Sequence, residues 1–166
     1  MLIRRLAPAD AASFLALRLQ ALAEAPTAFG ASYEDEQLTP LATIERNLAP
    51  ESGRYLFGAF VEDQLVAMVG IGRETSRKEA HKGFVRSMYV APGHRQQGTG
   101  RAILAHAIAF ARTLPDLRQL TLAVNATNAP AIALYESLGF RPYGVEPDSL
   151  QVDGVFHDEM LMFMAL

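Results

Sequence analysis

The sequence predicts a single α/β domain, with a mixed sheet characteristic of the α+β class, and three observations carry that expectation. Three β-rich runs, Tyr55–Val61, Leu65–Ile71 and Phe84–Val90, stand side by side before any long crossover helix. After them, helical and extended periodicity alternate to the end of the chain. The 166 residues, half of them apolar and a fifth charged, are enough for one ordinary domain with a real core and no staples.

Leu2–Leu6 reads as a short strand. Asp10 caps a helix whose Phe14, Leu15, Leu19 and Leu22 fall near helical spacing, and Pro26 ends it. The acidic stretch Tyr33-Glu34-Asp35-Glu36 is a loop leading to Thr39-Pro40, a hydroxyl and a proline suited to start a second helix through Leu48. Pro50-Glu51-Ser52-Gly53 is a turn, and Glu62-Asp63-Gln64 joins the first two central strands as a hairpin. Arg73–Lys82 is a solvated connection, and Phe84–Val90 closes at Ala91-Pro92-Gly93. From Thr99 to Thr113, Ile103, Leu104, Ala107, Ile108 and Ala111 share one helical face, and Pro115 stops the helix. Leu120–Val124 is a buried strand, Asn128–Leu138 a helix ended by Gly139, and Val155–Met164 a final strand. The predicted order β-α-α-β-β-β-α-β-α-β gives a central mixed sheet flanked by about four helices. No repeat, low-complexity tract or linker interrupts it, so residues 1–166 are read as one domain.

Fifteen Lys and Arg against eighteen Asp and Glu give a net charge of −3, without the sequence-wide positive field that holds phosphate backbones. Nucleic acid is therefore not an expected partner. The absence of cysteine excludes disulfide frameworks, thiolate zinc sites and a cysteine nucleophile. Arg4 and Arg5 precede an apolar stretch, but Asp10, Arg18 and Gln20 interrupt it, so the expectation is a cytoplasmic protein with no leader and no membrane partner.

The most informative stretch runs from Val85 to Arg101, a strand entering the glycine-punctuated loop Gly93-His94-Arg95-Gln96-Gln97-Gly98-Thr99-Gly100-Arg101 and then a helix. Such a junction aims free backbone N–H groups and the positive end of the helix dipole at one point, an anion site. A nucleotide P-loop is disfavoured because the position that needs lysine holds Thr99. A dinucleotide fingerprint fails because its third glycine position holds Ile103.

The remaining pattern, Arg95-x-x-Gly98-x-Gly100 after Met88-Tyr89-Val90-Ala91-Pro92, resembles the GNAT superfamily of acyl-CoA-dependent N-acyltransferases. A second block strengthens the resemblance: Leu122-Ala123-Val124-Asn125, then Asn128 through Tyr135 to Phe140. The likeness is clear over residues 84–141 and weakest over 25–50, where acceptor specificity would lie. It implies a GNAT-like fold and transfer of an acetyl group from acetyl-CoA to a primary amine of a small molecule or peptide, by direct attack in a ternary complex. A non-catalytic module that senses acetyl-CoA is the alternative. The resemblance also implies cofactor contacts: backbone pairing along Met88, Tyr89 and Val90, a pyrophosphate site at Arg95, Gln96, Gln97, Gly98, Thr99, Gly100 and Arg101, and a contact from Asn128. No metal is required, and a homodimer is compatible because family members are often dimers.

Each of these residues also has a plainer role. Asn128 is an ideal N-cap, and Tyr135, three positions from Ile132 and Leu138, suits core packing. The resemblance instead places Tyr135 beside the cofactor sulfur as a general acid. Some relatives carry a basic carboxylate on the strand equivalent to Phe84–Val90, which has none here. Glu34 and Glu36 are the substitutes, with a water relay as the alternative. Their loop also predicts a negative acceptor entrance that favours cationic amines.

Overall fold

Glu62 and Asp63 both adopt left-handed backbone, with φ of 48° and 64°, the two-residue turn that matches strand twist. It folds β2 (Tyr55–Val61) onto β3 (Gln64–Arg73). In the computed structural model, which describes residues 1–166, β1 (Leu2–Arg5) pairs outside β2 and β4 (Lys82–Val90) outside β3, all antiparallel. Helix α4 (Thr99–Ala111) then crosses over so that β5 (Gln119–Asn125) runs parallel to β4. After α5 (Ala129–Ser137) come β6 (Arg141–Val152) and β7 (Val155–Ala165), completing a seven-stranded sheet of order β1-β2-β3-β4-β5-β7-β6.

The continuous apolar run of β3 is buried from Leu65 to Ile71 because both of its faces are covered. On one face, Val69 and Ile71 pack with Phe57 against Ile103 and Leu104 of α4. On the other, Leu65 and Met68 meet Phe14 and Leu17 of α1 (Ala11–Glu24) and Ile44 and Leu48 of α3 (Leu41–Leu48).

Four local expectations need correction. Asp10 precedes α1 but makes no side-chain cap to it, because its carboxylate pairs with Arg4 and accepts the Ala7 N–H. Residues Tyr33–Glu36 form a short helix, α2, rather than a loop, because the Ser32 hydroxyl accepts the Asp35 N–H as an N-cap. Helix α3 starts after Pro40 with no side-chain cap, so the Thr39 hydroxyl does not serve there. Strand β6 has no counterpart in the predicted order. It is an edge strand carrying Pro142 and Pro147 and two irregularities of register, features that protect an exposed edge while hiding it from a period-two reading.

The strand pairing that creates the site is short. Strands β4 and β5 pair only at Lys82–Gln119, Gly83–Leu120 and Phe84–Thr121. Beyond Phe84, β4 stays with β3 while β5 follows β7, and a wedge opens between them. Between the pairs Met68–Tyr89 and Gly70–Arg86, β4 takes three steps to two on β3, and the extra residue is accommodated where Ser87 turns left-handed at φ 56°. The bulge resets the side-chain alternation. Phe84 and Arg86 before it, and Tyr89 after it, lie on the α1 side, while Val85, Met88 and Val90 pack toward α4.

Gly83 sits in this ladder, where an added Cβ would lie 2.9 Å from the Gly72 carbonyl oxygen and 2.9 Å from Leu120. Gly83→Ala is therefore expected to cost about 1–3 kcal/mol by overpacking. Gly100→Ala, whose Cβ meets side chains no closer than 3.4 Å, is expected to be neutral or stabilising by up to ~1 kcal/mol. Urea denaturation of the two variants checks the contrast.

Candidate active site

Strand β4 ends at Val90 and the chain turns through Pro92–His94 into a loop with two left-handed residues, Gln96 at φ 59° and Gly98 at φ 80°. Gly98 is the N-cap of α4 and carries no capping side chain, and the first helical bond runs from Ala102 N–H to the Gly98 carbonyl at 3.0 Å. Consequently none of the backbone N–H groups from Gln96 to Arg101 donates to an acceptor within the protein. Consecutive free donors at the positive end of a helix form a cradle for an anion the size of a pyrophosphate. Gly100 contributes its N–H, and an added Cβ there would meet the Leu134, Met88 and Val90 side chains at 3.4–3.5 Å, ordinary van der Waals contact.

Side chains hold the loop in place. Arg95 Nε donates to the Val90 carbonyl at 2.8 Å, its Nη2 pairs with Glu24 Oε1 of α1 at 2.7 Å, and its guanidinium lies over the Tyr89 ring. The Tyr89 hydroxyl donates to the other oxygen of Glu24. This bond, with the Arg95 charge, holds the Glu24 carboxyl below its ordinary range. Burial and then the Glu24 carboxylate push the Tyr89 phenol up to about 12. The Arg95 side chain is thus committed to protein partners, while Gln96 and Gln97 on the loop and Arg101 in the first turn of α4 are exposed and Thr99, which opens that turn, is buried.

Across the wedge, Asn128 accepts the Ala131 N–H at 3.2 Å and caps α5, leaving its amide nitrogen without a protein partner. Tyr135, 7% exposed, packs edge-on against Phe140 at 5.9 Å. Its hydroxyl makes no hydrogen bond to the protein. The one fully buried side-chain polar atom without a partner is Arg18 Nη1, so the Tyr135 oxygen opens outward. Burial pushes this phenol up to about 12.

On the α1 side of β4 lies a cavity of about 590 Å³ reached by Arg18, Glu36, Arg54, Arg86 and Ser87. Glu36 sits 3.7 Å from Arg18 Nε. Glu34 lies elsewhere, on a second cavity of about 500 Å³ beside the Leu150–Asp153 end of the β6–β7 hairpin. The short helix explains the separation, because residues two apart on a helix point to opposite sides. Arginines line the Glu36 cavity in excess, contrary to the expected negative entrance. Sequence reading left Arg18, Arg54 and Arg86 without a role. The available signal was an arginine interrupting an apolar helix face at 18 and a strand at 86.

Both raised phenols resist ionisation in the folded state, so their contribution to stability is present below pH ~10 and is lost as pH rises toward 12. Absorbance titration is expected to show two late tyrosine steps near 12. Tyr89→Phe and Tyr135→Phe should each remove one.

Known proteins agree with this architecture. The Acetyltransferase (GNAT) family profile matches residues 18–140. N-alpha-acetyltransferase RimI of Mycobacterium tuberculosis is 32% identical over 115 residues, 69% of this chain and 69% of that protein. A GNAT-family acetyltransferase from Streptococcus pneumoniae superposes with a TM-score of 0.88 at 26% identity, covering 99% of both chains. The fold is shared with yncA of Salmonella typhimurium, solved with its cofactor acetyl-CoA, at a TM-score of 0.82 and 22% identity over 100% of this chain and 94% of that one. The chain spans only 30%, 32% and 60% of the length of three further curated relatives. The match over residues 18–140, on a sheet opened between β4 and β5 beside a free-amide loop, shows that the chain belongs to the GNAT acetyltransferase family.

Proposed function

We propose that the protein transfers an acetyl group from acetyl-CoA to a primary amine of a small molecule or peptide, by direct attack within a ternary complex. The observation that carries this reading is the run of free N–H groups from Gln96 to Arg101 beside the β4–β5 wedge. Family membership and the acetyl-CoA bound to yncA support it. When bound, acetyl-CoA supplies a thioester carbonyl as electrophile. The loop amides would hold its pyrophosphate, the backbone of Met88, Tyr89 and Val90 would pair with its extended arm as an added strand, and the free amide of Asn128 would donate to it. Arg95 and Glu24 would fix the loop rather than touch the cofactor.

Tyr135 is the residue assigned to the departing sulfur. A phenol at about 12 lies above a thiol's ordinary ~8.5, so complete proton transfer is unfavourable and the hydroxyl acts by donating a hydrogen bond as negative charge develops. For the amine proton, Glu36 is the carboxylate lining the cavity beside β4, with a water relay as the other route. Glu34 lines the second cavity instead.

The test is acetyl-CoA-dependent thiol release with a panel of amines. Tyr135→Phe should bind acetyl-CoA as the parent does and lose kcat by ~10²-fold. Its stability should hold within about 0.5 kcal/mol, because the hydroxyl has no protein partner to lose. Undiminished turnover in this variant would remove Tyr135 from catalysis, and acetyl-CoA binding without turnover of any amine would favour a sensing module.

A further inference from the structure

The cavity between α1, α3 and β4 is an acceptor pocket on the preceding reading, because Ser87, at the bulge in the strand that walls the wedge, also lines it. Its volume, about 590 Å³, is that of a small-molecule site. Its charge is unbalanced: Arg18, Arg54, Arg73 and Arg86 face a single lining carboxylate, Glu36. Arg73 is spent on the carbonyls of Ala80 and Pro115. The other three guanidinium groups make no hydrogen bond to the protein, although Arg18 is ion-paired with Glu36 at 3.7 Å and lies over the Phe29 ring.

Arg18 is the most telling of the three. The residue is 9% exposed, its Nε is 3.7 Å from Glu36, beyond hydrogen-bond range, and its Nη1 is fully buried without a partner. A buried guanidinium whose nearest carboxylate stands 3.7 Å off is costly to hold, and an anion arriving at the part of Arg18 that lines the cavity offsets some of that cost. Arg86, lying over the Phe84 ring and facing the open pocket, is held below the usual arginine range by partial burial and then by the charge of Arg54, with Arg18 adding to the effect and Glu74 opposing it. A polycation placed here would meet the same repulsion. Apolar walls from Phe14, Ile44, Leu48 and Phe84 complete the pocket.

We infer that the acceptor is a small amine that also bears a carboxylate, of the amino-acid class, and that Arg18, Arg54 and Arg86 are specificity-determining residues that seat this carboxylate while the amine points toward the β4 bulge. The inference rests on the transferase reading for the fate of the amine, but the carboxylate seat is a separate claim.

The experiment compares the common L-amino acids, each beside its amide and its decarboxylated amine, with spermidine as the cationic control. Wild type should acetylate at least one amino acid with kcat/KM about 10- to 100-fold above its amide, the span of one charged hydrogen bond. Arg86→Gln should erase that advantage chiefly through KM, with the acid losing far more than its amide. Arg54→Gln, at an exposed position, should act in the same direction. A parallel calorimetric titration of amino acids into CoA-saturated protein separates the two readings. Carboxylate-dependent binding without transfer sinks the transferase reading and keeps the seat. Faster turnover of spermidine or of decarboxylated amines, or equal losses for acid and amide in Arg86→Gln, overturns the seat and keeps the transferase. Failure of every amino acid to bind or react overturns the inference as well.

Discussion

Three residue pairs of parallel ladder between β4 and β5 are the constraint on which the site depends. A sheet normally satisfies its backbone groups by continuing to pair, so parting two adjacent strands in mid-sheet leaves edges that another partner must meet. Here the parting is built into both strands. Strand β5 is held along its whole length by β7, and β4 is held by β3 across a bulge that puts Ser87 in left-handed backbone. Glycine at 83 allows the strands to approach closely where they do pair, so the wedge has a sharp apex.

The bulge also divides the chemistry between the two sides of β4. Toward α4 and α5 lie Met88, Val90, the free-amide loop and Tyr135, a surface suited to an extended, phosphate-bearing ligand. Toward α1 and α3 lie Arg86 and the arginine-lined cavity. Both sides present unpaired donors or positive charge, although the chain as a whole carries −3. Backbone donors do not enter a count of charged side chains, and the arginines converge only through folding. Net charge therefore describes the surface field at a distance, whereas the local arrangement decides what binds.

Much of the fold was legible because local chemistry and tertiary packing agree. Gly98 and Gly139 stand where left-handed backbone opens and closes a helix, and the apolar face of α4 meets the β3 run as its periodicity implies. Asn128 announced its cap. The parts that were not legible depend on contacts distant in sequence or on weak local signals. Strand β6 owes its existence to β7 and carries prolines and charges suited to an edge. Helix α2 is four residues long and has little periodicity of its own, yet it sends Glu34 and Glu36 into different cavities. Arg18 and Arg86 are separated by 68 positions and acquire a joint meaning only across the packed α1–β4 face, and the Glu24–Arg95–Tyr89 cluster is likewise assembled from three elements.

The central claim is that the backbone from Gln96 to Arg101 is the anion-binding surface of the cofactor site, and amide hydrogen exchange with and without CoA measures it directly. With no protein acceptor, these N–H groups should exchange rapidly in the free protein and become protected when CoA is added, together with the β4 backbone at Met88–Val90. Saturable CoA binding that leaves the exchange of Gln96–Arg101 unchanged, with protection arising elsewhere, would contradict the account.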